Sequence, residues 1–232
     1  MESFKYYLDL IKKEIKLAFR NNKYLLLASV LIFVIPMITA YYYPDLFESY
    51  LTPLLEEFTK KVSDGTVTLS TESLFVNNVQ VALILYAGSA LFAVVGAFIL
   101  FNNGLFIGFF GTKMSLIPYL ALTVPHGIFE IPAIMISCTG GFVLFSFILH
   151  FIWNFLEPDY SYVDIFDPHF TGEKITIRQR LSSSLDKHQD KLKESLILLC
   201  VSVVLLVIAA FIEANLTIPI ARAFLGLFGI VF

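Results

Sequence analysis

From Tyr24 to Tyr43 the chain carries no charged residue. An α-helix needs roughly 20 such residues to cross the hydrocarbon of a bilayer. In lipid only helices and closed barrels satisfy their own backbone polar groups. Further apolar runs follow at 77–101, 104–122, 125–155 and 195–212. Over 232 residues the chain is 57% hydrophobic and 15% charged, with a mean hydropathy of +0.78. Soluble domains carry about 45–50% apolar and about 25% charged residues. The expected class is an all-α, polytopic integral membrane helix bundle of about six spans, five plus a re-entrant or sixth helix at the end.

Two segments outside these runs are amphipathic. In 4–19, Phe4, Leu8, Ile11, Ile15 and Phe19 recur at helical spacing, while Lys5, Lys12, Lys13 and Lys16 occupy other faces. Such a basic amphipathic helix suits either the surface of an anionic leaflet or an ordinary solvated position against the bundle. In 45–62, Phe47, Leu51, Leu54, Leu55, Phe58 and Val62 form a second apolar stripe, read as an interfacial helix. The first apolar run follows basic residues and lacks a small-residue cleavage site, so a retained anchor is expected there.

These features divide the chain. Residues 1–23 form a basic amphipathic helix and 24–43 the first span. Residues 44–76 are an extracytoplasmic loop with its interfacial helix. Residues 77–156 form a three-span core, 157–194 a cytoplasmic loop, and 195–232 the C-terminal spans. Asn102-Asn103-Gly104 reads as a tight turn between the second and third spans, and Pro125-His126-Gly127 as the start of the fourth. Orientation follows from basic residues, which favour the cytoplasmic side. Lys5, Lys12, Lys13, Lys16, Arg20 and Lys23 precede the first span. Lys174, Arg178, Arg180, Lys187, Lys191 and Lys193 lie in 157–194, and 45–76 holds only Lys60 and Lys61. A cytoplasmic N-terminus in the cell membrane places both basic segments on one side.

Polar residues inside the apolar runs are the candidates for function. An intramembrane carboxylate costs at least about 2.5–3.5 kcal/mol near the helix centre, so it pairs, reaches water or does work. His126 and Glu130 stand four residues apart, on one helix face. Pro132 removes a backbone donor and frees the carbonyl of Ile128. Glu213 ends the fifth run on the same side of the membrane. Three readings stay open: a buried network that locks helices, with Glu130 protonated and donating; a metal site of His126, Glu130 and Glu213; or acid/base work along a transport path. Asn77 and Asn78 are the expected partners of this cluster, and Asn103 and Gly104 belong to the turn. Lys113 and Arg222 are expected to snorkel. His150, His169 and His188 lack converging ligands, and Cys138 and Cys200 read as small core residues.

The chain has no Walker, G-x-S-x-G, HExxH or dinucleotide motif. No catalytic residue and no cofactor are expected, and nothing calls for nucleic acid. The bilayer is the first partner.

FVNNVQVALILYAGS (75–89), LFNNGLFIGFFG (100–111), PHGIFEIPAI (125–134), Gly140-Gly141 and AAFIEANLTIP (209–219) together resemble the stage II sporulation protein M family. The resemblance covers roughly 75–220. Ile218 separates Thr217 from Pro219, where the family often has Thr-Pro directly. The resemblance implies a membrane scaffold similar to one that holds peptidoglycan-remodelling enzymes during engulfment. Its implied role is non-enzymatic, with envelope proteins or a second copy of the chain as partners. A small transporter using His126, Glu130 and Glu213 along a path is the alternative, and an intramembrane metal-dependent hydrolase the third.

Overall fold

A computed structural model describes residues 2–64, 71–156 and 176–227. The expected turns of 157–175, the loop centre at 65–70 and the terminal 228–232 lie outside the described residues. All regular structure among the described residues is helical. The elements are α1 (Glu2–Asn21), α2 (Lys23–Tyr42), a 3₁₀ turn (Pro44–Leu46), α3 (Glu48–Ser63), α4 (Thr71–Leu91), α5 (Ala93–Phe110), α6 (Leu116–Leu156), α7 (Ile177–Asn215) and α8 (Thr217–Leu227). Five of these, α2, α4, α5, α6 and α7, are long and apolar enough to cross a membrane. Large apolar side chains such as Leu27, Leu31, Ile35, Ile84, Val94, Phe98 and Val204 point outward. A soluble protein rarely exposes so much contiguous apolar surface, whereas lipid accommodates it. The protein is a multi-pass membrane bundle.

Helix direction follows from the contacts. The Ser29 hydroxyl of α2 accepts from Thr139 of α6 at 2.9 Å, while Phe33 packs among Ile134, Met135 and Cys138. These two helices are therefore antiparallel. Along α4 and α6 the numbers rise together, with Ser137 Oγ donating to the Ala82 carbonyl at 2.7 Å and Ser89 beside Cys138. Helices α2, α5 and α7 run one way, and α4 and α6 the other. Helix α6 lies in the middle, against α2, α4, α5, α7 and α8.

Backbones touch where glycines allow it. A Cβ on Gly104 would lie 2.2 Å from the Phe33 carbonyl oxygen, and one on Gly108 would lie 2.0 Å from that of Met37. These residues are a turn apart on both helices, so α5 is laid along α2 in parallel. On α6, a Cβ at Gly141 would lie 2.4 Å from the Tyr86 carbonyl oxygen. Small residues at such contacts drive association in lipid, where burial alone gives no preference for a helix neighbour over a lipid tail. Hydroxyl bonds reinforce them: Ser195 donates to the Gly140 carbonyl at 2.7 Å and pairs with the Tyr86 hydroxyl at 2.8 Å.

Several expectations are corrected. Asn102-Asn103-Gly104 is not a turn but lies within α5. Both asparagines donate to carbonyls one turn back, Phe98 and Ile99. The α4–α5 turn is at Phe92, whose backbone is extended (φ −145°, ψ 108°). It is sharp because Gly96 has no Cβ to meet Ser89, which would stand 1.7 Å away. Pro125-His126-Gly127 is no break either, since both Pro125 and Pro132 sit inside continuous α6. Lys113 lies in the α5–α6 turn, 4.0 Å from Glu48 of α3. Cys138 is buried as expected, but Cys200 is exposed. Helix α8, 11 residues long, is too short by itself to cross a bilayer. It continues beyond the α7 break, with Ala221 and Leu225 packed on Ala121.

Surface helices cap both ends. Leu51 of α3 is buried against Ala40, Leu105 and Phe109, with Phe47 and Leu55 beside it. At the opposite end, Glu194 of α7 accepts from the side-chain amides of Asn21 and Asn22 at 2.6 and 2.8 Å. Lys193 pairs with Glu14 at 2.7 Å. The α1–α2 corner is thereby pinned to α7.

Three outcomes follow from this packing. Gly141→Leu forces the α4–α6 contact apart and destabilises the bundle by at least about 1–3 kcal/mol, read as a lower melting midpoint in detergent. Gly226→Ala meets nothing within 4 Å and leaves that midpoint unchanged or raised. Glu194→Ala releases the corner and accelerates amide exchange in α1 while that of α6 stays slow.

Candidate functional site

The polar cluster forms where α6, which carries two prolines without a break, faces a helix that proline does break. On α6, Pro125 and Pro132 bracket His126 and Glu130. On the facing helix, Pro219 lacks an N–H, and its ring would clash with the carbonyl of Asn215 in a continuous helix. The chain accordingly breaks at Leu216 (φ −116°, ψ −26°), between α7 and α8. The break puts Glu213 and Thr217 on either side of a corner that faces His126 and Glu130.

One ligand atom each from His126, Glu130 and Glu213 lies within 4.8 Å of the others. His126 Nε2 stands 4.0 Å from Glu130 Oε2, too far for a hydrogen bond. On the other side of the ring, Nδ1 is 3.4 Å from Thr217 Oγ1. Thr217 spends its own hydroxyl proton on the Ile212 carbonyl at 3.2 Å, so toward the imidazole it presents a lone pair. With the Thr217 proton on Ile212, the ring's N–H is Nδ1–H and Nε2 is the free nitrogen on the Glu130 side. The side chains of His126 and Glu130 are 17% and 29% exposed, which keeps both largely inside the bundle. Among the described residues, no lysine or arginine pairs with Glu130 or Glu213.

The cluster is deep. Tyr119, which donates to the Ile107 carbonyl near the end of α5, marks one end of the bundle on α6. Val143, packed beside Leu25, marks the other. At 1.5 Å per residue, Glu130 lies about 16 Å from the first level and about 20 Å from the second.

Other candidate residues sit elsewhere. Asn77 donates to Asn78 at 3.4 Å, and Asn78 is buried on α4. Asn103 and Gly104 lie on α5 against its own backbone and α2. Gly127 is buried, but a Cβ there would meet only side chains of its own helix, at 3.7 Å. No close approach requires glycine at that position. Pro132 contributes through the α6 backbone. The partner that spacing did not reveal is Thr217, whose one signal was the Thr-x-Pro ending of the resemblance motif. His169 lies outside the described residues. His150 and His188 come together, with ring centroids 5.4 Å apart and Asn154 bonded to His188. His188, on the charged part of α7, has its pKa pushed down by desolvation, then by His150, Lys187 and Lys191.

Over 231 residues the chain is 26% identical to an uncharacterized protein of Methanocaldococcus jannaschii, covering 96% of this chain and 94% of that protein. A second uncharacterized protein of the same organism is 30% identical over 154 residues, 64% of this chain and 71% of its own length. No solved structure matches. Residues 25–218, which include α4 to α7 and the whole polar cluster, match stage II sporulation protein M, and the chain belongs to that family.

Proposed function

We propose that the protein is a non-enzymatic membrane organiser that holds partner proteins at the cell envelope. The observation that carries this reading is the rod formed by the tail of α6 and the start of α7. At 41 and 39 residues, these helices are each about 60 Å long, twice the roughly 30 Å of the hydrocarbon core. Beyond the level of Asn22 and Glu194 they continue together. Lys191 donates to Ser146 at 2.8 Å, and Arg180 to the Phe155 carbonyl at 3.2 Å. This rod exposes two apolar stripes at helical spacing: Leu149, Ile152, Trp153 and Leu156 on α6, and Ile177, Leu181 and Leu185 on α7. Side chains so placed among charged residues suit an amphipathic helix of a partner protein.

The interior supports a static role over a path. On the α1 side of the cluster, the α4–α6–α7 contact is filled by Ala82, Ala133, Ser137, Ser202 and Leu206, all fully buried. Backbone contact at Gly141 closes it further. The family assignment points the same way. The basic residues of α1 and of 176–193 support a cytoplasmic N-terminus and rod.

Photo-crosslinking from position 181 in native membranes tests the reading. A discrete protein adduct is expected, and Leu181→Asp with Leu185→Asp removes it. The melting midpoint stays within a few degrees in that variant, because exposed substitutions cost under about 0.5 kcal/mol. Absence of any adduct refutes the organiser, and an adduct with a second copy makes the assembly a homo-oligomer. Labelling of a cysteine placed at position 181 only from the cytoplasmic side confirms the orientation, and labelling from outside reverses it.

A further inference from the structure

We propose that His126, Glu130 and Glu213 form a divalent-metal site of the zinc class that clips the broken α7–α8 helix onto α6 inside the membrane. Three observations carry the assignment, and it holds whether or not the organiser reading does.

The first is geometry. Three atoms no more than 4.8 Å apart share a point within about 2.8 Å of each (4.8/√3); zinc binds imidazole nitrogen and carboxylate oxygen at about 2.0–2.2 Å. Closing that gap takes a shift of well under 1 Å per ligand, within reach of side-chain rotation. The donor set is mixed: imidazole suits zinc and iron, and carboxylate suits these and manganese. Calcium and magnesium favour an all-oxygen shell.

The second is orientation. A metal-bound histidine presents one nitrogen to the metal and donates its other N–H to an acceptor that holds the ring. Thr217 Oγ1, 3.4 Å from Nδ1, is placed to be that acceptor when its own proton goes to the Ile212 carbonyl. In that arrangement Nε2 is free on the side of Glu130. His126 and Glu130 stand too far apart to share a proton directly.

The third is charge. Two carboxyl groups lie at membrane depth, and no lysine or arginine among the described residues pairs with them; ionised together they would carry two negative charges. Hydrocarbon penalises net charge. One divalent cation with two carboxylates and a neutral imidazole brings the site to zero. It also joins α6 to both sides of the Leu216 corner, through Glu213 directly and through Thr217 by way of His126.

The test uses the purified full-length protein in detergent, stripped with a chelator and titrated with zinc against a chromophoric competitor. The wild type is expected to bind one zinc per chain. His126→Ala, Glu130→Gln and Glu213→Gln each weaken binding at least about tenfold, and Thr217→Val weakens it by about 10–100-fold as an orienting partner. Zinc raises the melting midpoint of the wild type and leaves that of Glu130→Gln unmoved. The glutamine variants remove a buried charge and keep the shape, so they are expected to fold; the wild-type stoichiometry is in any case read without them. A wild type that takes up no more zinc than the triple variant overturns the proposal. Undiminished zinc in the variants also overturns it, since the ion then sits elsewhere, as at His150 and His188.

Discussion

Lipid offers a helix no water for its polar backbone and no hydrophobic reward for leaving the lipid. What holds this bundle together is therefore close contact between helix backbones, made at the few positions without a side chain. Gly104 and Gly108 lay α5 along α2, and Gly141 seats α6 on α4. Serine and threonine hydroxyls then bond across these contacts, as at Ser29–Thr139 and Ser195–Gly140. The same contacts set the depth and rotation of α6. They decide which way His126 and Glu130 face, and so whether they meet anything at all.

What they meet is a break. A polar backbone interruption at membrane depth is tolerated only where protein surrounds it. Leu216 is the residue at which α7 gives way to α8, and α6 stands alongside it with two prolines of its own. The cluster is consistent with that need. Thr217 of α8 reaches back to the Ile212 carbonyl of α7 and lies 3.4 Å from the His126 ring of α6. The carboxylates of Glu130 and Glu213 close the corner. The site and the fold are thus one problem, solved in one place.

Much of this was legible in the sequence where the signal is local. The apolar runs announce spans by length, and the basic amphipathic pattern of 4–19 lies within α1. His126 and Glu130 share a face because four residues make about one helical turn. Reading failed where one residue type has two uses. Asparagine and glycine at 102–104 look like a turn in water. In lipid, Asn102 and Asn103 bond back to their own helix and Gly104 makes room for α2. Proline at 125 and 132 looks like a boundary, yet neighbouring helices carry α6 through it. The reverse error is Phe92, a turn with no proline or glycine at its own position, made possible by Gly96 four residues on.

The sequence alone determined the class, the approximate number of crossings, the family and the pair His126–Glu130, because hydropathy and helical spacing act over short stretches and need no partner. Only the tertiary structure decided which residues of α7 and α8 stand beside that pair, Glu213 and Thr217. That choice depends on how far α7 slides along α6 before their backbones lock at Gly140 and Ser195, a register set by contacts between residues far apart in the chain.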